Sequence, residues 1–194
     1  MTLDRIVKIL GTLEGPIAAA RDKALLLGFV GGLRRSEMAA LRVEHLTKHR
    51  SGYTIRIPRS KTDRGGKERE IEIVVGTNEL SCPVLALENW MAMAPVKDGY
   101  LLRSVGQYGG VGQSLDKDSI GAIVKRLVGR ARLARPEEYA GHSLRAGFVT
   151  EASANGATDR QIMRQTGHKS RAMIDRYFRE DRKDRKNAAS KLGL

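Results

Sequence analysis

Residues 141–178 read GHSLRAGFVTEASANGATDRQIMRQTGHKSRAMIDRYF, and this stretch organises the chain. It holds two of the four histidines, His142 and His168. Arg145 stands three residues after the first, and Tyr177 nine residues after the second. The stretch has no cysteine and only three acids. Two histidines, several arginines and a tyrosine in that setting make a poor metal site and a suitable one for a phosphate. Periodicity predicts a helix over 142–154, stopped by Asn155-Gly156. Thr158-Asp159 caps a second helix that ends at Gly167. A third, short helix over 170–176 delivers Tyr177.

Working outward, the chain has 194 residues, enough for one domain, 1–194, with a sizeable core. Hydrophobic residues make up 41%, so a packed globule is expected rather than disorder. Charge is lopsided: 35 Lys+Arg against 22 Asp+Glu, formally +13. Such an excess concentrates polyanions and supplies phosphate contacts, which makes nucleic acid the leading partner. A membrane surface is the rival, yet no stretch reaches the roughly 18 apolar residues of a spanning helix. Cys82 is the lone cysteine. It excludes an internal disulfide, fits a reducing cytoplasm, and sits among apolar neighbours as a packed thiol. The N-terminal MTLDRIVKIL is too short and too charged in its apolar run to be a signal peptide.

Upstream, residues 1–15 are mixed, with Gly11 and Gly15 breaking any long helix. IAAARDKALLLGFV (17–30) predicts a largely buried helix stopped by Gly31-Gly32. In LRRSEMAALRVEHL (33–46), Ser36 and Glu37 suit a helix first turn, and Met38, Leu41 and His45 or Leu46 recur at helical spacing. YTIRIPR (53–59) and EREIEIVV (68–75) alternate apolar and polar, predicting a β-hairpin with the basic tip SKTDRGGK. Residues 79–94 predict a core helix delayed by Pro83, with Trp90 and two methionines in the packing. Residues 98–114 are a glycine-rich loop with a candidate short strand at Tyr100–Arg103. Residues 116–134 predict an amphipathic helix. Its cations Lys125, Arg126, Arg130 and Arg132 are either a solvated face or a face lying along phosphates. The fold class is α+β, mainly helical, with a small antiparallel hairpin.

These segments converge on a resemblance. GGLRRSEMAALRVEHL resembles the first arginine box of the tyrosine recombinases (the phage integrase family), commonly T-G-L-R-x-S-E-L. HSLRAGF resembles that family's H-x-L-R-H/A-x-F box. TGHKSRAMIDRYF resembles its L-G-H box with the same nine-residue step to tyrosine, and the 23-residue step from Arg145 to His168 also matches. The lysine in SKT, Lys61, resembles the family's catalytic lysine. The resemblance spans 17–194 and implies a tyrosine recombinase catalytic domain acting on double-stranded DNA in the cytoplasm, at the nucleoid.

The resemblance implies roles. A phosphodiester is shielded by negative charge, which must be neutralised in the transition state. Arg34 and Arg145 occupy the two arginine positions and would fork N–H groups onto its oxygens. Arg35 falls at the box's variable position and suits the DNA backbone. Tyr177 is the nucleophile, and a phenol needs activation at its usual pKa of about 10. His142 matches the position that takes its proton, and His168 the position that hydrogen-bonds the phosphate. Lys61 is the candidate general acid for the 5′-oxygen, with Lys67 a competitor on the same tip. Arg64 and Lys67 would otherwise touch DNA. Glu37 matches the box's acidic position, either orienting a catalytic side chain or serving as a helix-start carboxylate.

The implied reaction forms a 3′-phosphotyrosyl link and then passes it to a 5′-OH of a partner duplex, with no cofactor and no metal. The working assembly would be a homotetramer on DNA. Religation to the original strand, as in type IB topoisomerases, and DNA binding without chemistry remain alternatives. His45 and His49 are four apart but have no third ligand nearby. The apolar positions of NAASKLGL (187–194) would dock either on their own domain or on a neighbour. Family members usually carry a separate helical DNA-binding domain before the catalytic one. This chain starts almost at the catalytic domain, so weakened specific DNA affinity is expected.

Overall fold

The computed structural model describes residues 1–58 and 68–178. A helix, α1 (Leu3–Leu10), forms in the segment read as mixed. It has only eight residues, too few to persist alone. Complete burial of Ile6 and Ile9 holds it in place. α2 (Pro16–Leu27) starts on a proline whose fixed φ suits a first helical turn, and it continues as a 3-10 turn, Gly28–Gly31.

The stretch 33–46 is not one helix. α3 covers Arg35–Ala40 only, followed by a 3-10 turn, Val43–His45, and an edge strand, β1 (Leu46–His49). Tertiary hydrogen bonds replace the helical ones. Leu101 N donates to Leu41 O at 2.8 Å, Val43 N donates to Gly99 O at 2.9 Å, and Arg42 bridges Tyr100. Tyr100–Arg103, expected as a short strand, forms only that bridge, and a second isolated bridge joins Val105 and Val111 in the same loop.

β2 (Gly52–Ile57) and β3 (Arg69–Val74) pair antiparallel, with Ile55 opposite Ile71 and Tyr53 opposite Ile73. The strand order is β1-β2-β3. Tyr53, Ile55, Ile57, Ile71 and Ile73 put one sheet face into the core. β1 carries no such alternation because it is mostly exposed, and periodicity therefore missed it. The hairpin tip, with Lys61, Arg64 and Lys67, lies outside the described residues, as does the tail from 179 on.

α4 (Pro83–Met93) follows a 3-10 turn, Glu79–Ser81. The buried Cys82 caps it, its Sγ accepting from Leu85 N and Gly76 N. Trp90 is buried, and its indole N–H donates to Leu101 O at 2.7 Å. The expectation that both methionines pack fails for Met93, which is 39% exposed. α5 (Lys117–Arg130), α6 (Gly141–Ala154), α7 (Asp159–Thr166) and α8 (Arg171–Asp175) complete the helices, and a 3-10 turn, Arg176–Phe178, carries Tyr177.

α4 packs along α2, α5 against α3 and α6, and β3 against α4 and α7. The main core joins α1, α2, α4, α5 and the sheet. A second, smaller cluster of Val149, Ile162 and Ile174 seats the tyrosine-bearing helices, and Tyr177 packs on it. Among the described residues, no helix is long and apolar enough to cross a membrane.

Candidate active site

Arg34 sits at the N-terminus of α3 with its side chain partly exposed, while Glu37, one turn on, is nearly covered. The Glu37 carboxylate accepts from Arg34 N at 2.7 Å and from Arg34 Nη1 at 2.6 Å. It also takes both Nη atoms of Arg69, at 3.0 and 2.9 Å. Burial alone would push the Glu37 carboxyl up. The Arg69 fork and the Arg34 N–H overcome this and hold it below the ordinary value. One carboxylate thus accepts from the backbone at the start of α3 and from the Arg34 side chain.

Arg69 was not singled out by the sequence. It opens β3 as one polar position in an alternating strand, and nothing local marks it. Its guanidinium packs on Gly167, where a Cβ would lie 3.0 Å from Cζ. Gly167 has a φ of 71°, so both conformation and space favour glycine there.

Arg145 lies on α6, buried, and its Nη1 donates to Gly32 O at 2.5 Å and Thr166 O at 2.7 Å. Gly32 precedes Arg34 by two residues, and Thr166 precedes His168 by two. One guanidinium thus ties the loop bearing Arg34 to the turn bearing His168. A guanidinium carries five N–H donors, so the fork keeps capacity for an oxyanion. Gly32 has a φ of 59°, and a Cβ there would stand 2.8 Å from Thr166 Cγ2 and 3.0 Å from Phe148 Cδ1. Gly32→Ala is expected to cost about 2–4 kcal/mol from left-handed strain plus crowding, read by chemical denaturation.

Tyr177 completes the cluster. Its hydroxyl stands 3.0 Å from His142 Nε2, and the two rings stack with centroids 5.7 Å apart. The His168 ring lies 5.6 Å from the tyrosine ring, tilted. Burial, then the Arg145 and Arg34 charges, lowers the His142 pKa from its ordinary value, which keeps the imidazole neutral. Burial lowers His168 further, to about 4, helped by Arg145, Arg34, His142 and Arg69. Arg34, Arg145, His142, His168 and Tyr177 all line one open cleft of about 620 Å³. Ser36 and Lys117 line it too and were not foreseen. The sequence places Lys117 only at a helix start, with no sign of which element faces it.

The phage integrase family model matches residues 1–184 of the chain. The chain belongs to the phage integrase family. An integrase/recombinase XerD homolog from Selenomonas ruminantium is 36% identical over 181 residues, covering 92% of this chain and 53% of that protein. The XerH site-specific recombinase bound to palindromic difH, a post-cleavage complex, superposes with a TM-score of 0.69 at 23% identity, covering all of this chain and 53% of the other. A lambda integrase tetramer on a Holliday junction gives 0.63 at 17% identity, covering 88% of this chain and 46% of the other. The chain therefore spans about half the length of the relatives it matches.

Against this integrase-family fold, the remaining basic candidates separate. Arg35 lines the cleft and pairs with Asp118 at 3.1 Å. Lys125 is exposed on the same side of α5 as Asp118 and Gly121. Arg126 instead binds the buried Asp22 of α2 at 2.8 Å, beside Arg21 at 2.6 Å, and Arg130 pairs with Glu14 at 3.5 Å. Arg132 is exposed, with a left-handed φ of 51°. The basic helix face is therefore partly engaged by the protein's own carboxylates. His45 Nδ1 accepts from Arg42 N, and His49 bonds Thr54 Oγ1 at 2.9 Å. Among the described residues, no three His, Cys, Asp or Glu side chains are grouped to hold a metal ion.

Proposed function

We propose that this chain is the catalytic part of a site-specific DNA recombinase that cuts and rejoins strands through a 3′-phosphotyrosyl intermediate. The observation that carries the reading is the Tyr177 hydroxyl, 3.0 Å from His142 Nε2, over a cleft lined by Arg34 and Arg145. In the first step Tyr177 Oη attacks phosphorus and its proton passes to His142 Nε2. The bond from phosphorus to the 5′-oxygen breaks, and Lys61, on the hairpin tip, is the proposed donor of the proton that oxygen needs. Arg34 and Arg145 hold the non-bridging oxygens as charge shifts. In the second step a 5′-OH of the partner duplex attacks the phosphotyrosine and releases Tyr177. One diester replaces another, so the exchange needs no energy source.

The relatives support the wider setting. XerH was captured after cleavage of its site, and lambda integrase as a tetramer on a Holliday junction. A homotetramer on double-stranded DNA, passing strands through a four-way junction, is the corresponding proposal here. The integrase-family match and the XerD homolog favour strand exchange over simple religation. The test uses a nicked suicide duplex carrying the target site, with a metal chelator present. A covalent protein–DNA adduct is expected to accumulate. Metal-dependent cleavage that leaves no adduct overturns the mechanism.

A further inference from the structure

Thr166, the last residue of α7, is fully buried, and its hydroxyl contacts two partners. Oγ1 lies 2.6 Å from Ile162 O and 2.7 Å from His168 Nδ1. A carbonyl oxygen can only accept, so the single hydroxyl proton goes to Ile162 O. The contact with His168 then needs the other proton: Nδ1–H donates to Thr166 Oγ1. A neutral imidazole carries one N–H, so Nε2 is left with a lone pair. A phosphate oxygen is an acceptor as well, and two acceptors repel.

We propose that Thr166 is a positioning residue that holds His168 as its Nδ1–H tautomer, so that the imidazole donates from Nε2 to a bound phosphate oxygen only after taking up a proton. Phosphate binding is then coupled to protonation at one histidine. The inference rests on the phosphoryl-transfer reading of the cleft. It adds a protonation requirement to the expectation that His168 hydrogen-bonds the phosphate. The leucine common at this position in the family's box has no oxygen and cannot impose the tautomer.

The surroundings fit the coupling. His168 faces Arg145 and His142 from α6, Arg34 beside α3, Arg69 from β3 and the Tyr177 ring, with Glu37 the balancing anion. Burial first, and then these neighbouring cations, disfavour a charge on the free imidazole and lower its pKa to about 4. A phosphodiester brings an anion and reverses the balance. The protonated form binds it more tightly, so the His168 pKa rises in the complex and affinity falls as pH climbs between the free and bound values.

The test is residue-resolved ¹⁵N NMR of the chain, first without DNA. Wild type is expected to show a protonated Nδ1 and an unprotonated Nε2 at His168 near neutral pH. Diethyl phosphate, a monoanion throughout the range, is expected to raise the His168 pKa, and its affinity to fall by up to tenfold per pH unit above the free value. Thr166→Val removes the acceptor and leaves Nε2–H as the tautomer with a solvated donor, so the pH slope flattens. Thr166→Ser restores both the tautomer and the slope. An Nε2–H tautomer in wild type, a Val variant with unchanged tautomer, or a His168 pKa unmoved by diethyl phosphate each overturns the proposal. The tautomer is read on DNA-free protein. Failure of strand cleavage, scored separately by adduct formation, therefore stays distinguishable from failure of this inference.

Discussion

Tyr177→Phe is expected to abolish the covalent protein–DNA adduct while leaving the chain folded and able to bind DNA. The substitution removes one oxygen. The ring keeps its packing on the cluster of Val149, Ile162 and Ile174. The substitution loses the hydroxyl's exposed bond to His142 and its interaction with Arg145, and an exposed bond of the first kind contributes about 1 kcal/mol. Stability therefore moves little, and the chemistry stops because the substitution removes the proposed nucleophile, the Tyr177 hydroxyl beside His142. Denaturing gels of the suicide-substrate reaction measure the adduct, and a mobility shift at low salt measures binding. An adduct that persists in the Phe variant assigns the nucleophile elsewhere.

Arg145→Ala is expected to damage both stability and cleavage. The guanidinium satisfies two backbone carbonyls from segments distant in sequence, those of Gly32 and Thr166. Truncation strips these carbonyls of their donor and opens a cavity at a side chain only 2% exposed, a loss of about 2–5 kcal/mol. The loop bearing Arg34 and the turn bearing His168 then lose their common tie. Cleavage should fall by about 10²–10³-fold at least, the size of effect seen when one oxyanion donor is removed. Arg145→Lys separates the two roles. It keeps a positive charge but cannot fork, so cleavage stays low even where stability partly recovers. Denaturant midpoints and single-turnover adduct rates read the two effects independently. A Lys variant that cleaves like wild type rules out the fork.

Much of this site was legible because it is written in short, local patterns. His142 and Arg145 are one helical turn apart on α6, and His168 and Tyr177 flank a short helix, so their spacing survives folding unchanged. Arg34 and Glu37 are likewise a turn apart. The hairpin strands showed through their alternation, and Trp90 and Cys82 through their apolar neighbours. Arg69 was missed because its importance comes from lying against Glu37 and Gly167, neither of which is near it in the chain. β1 was missed because an exposed edge strand has no buried face to write a pattern. The cations of α5 illustrate the opposite error. Composition counts them as one positive face, but Asp22 and Glu14 reach Arg126 and Arg130 from other segments and leave Lys125 in a different setting.

By itself, the sequence determined which side chains are present and their phase within each turn or helix. That was enough for the family and the fold class. Only the tertiary structure decided that Arg145 holds the Arg34 loop and the His168 turn together, that Arg69 shares Glu37 with Arg34, and that Thr166 Oγ1 meets His168 Nδ1. The reason is physical. Periodicity records burial along one element, whereas hydrogen-bond direction and protonation depend on which donor or acceptor the fold brings within 3 Å from the rest of the chain.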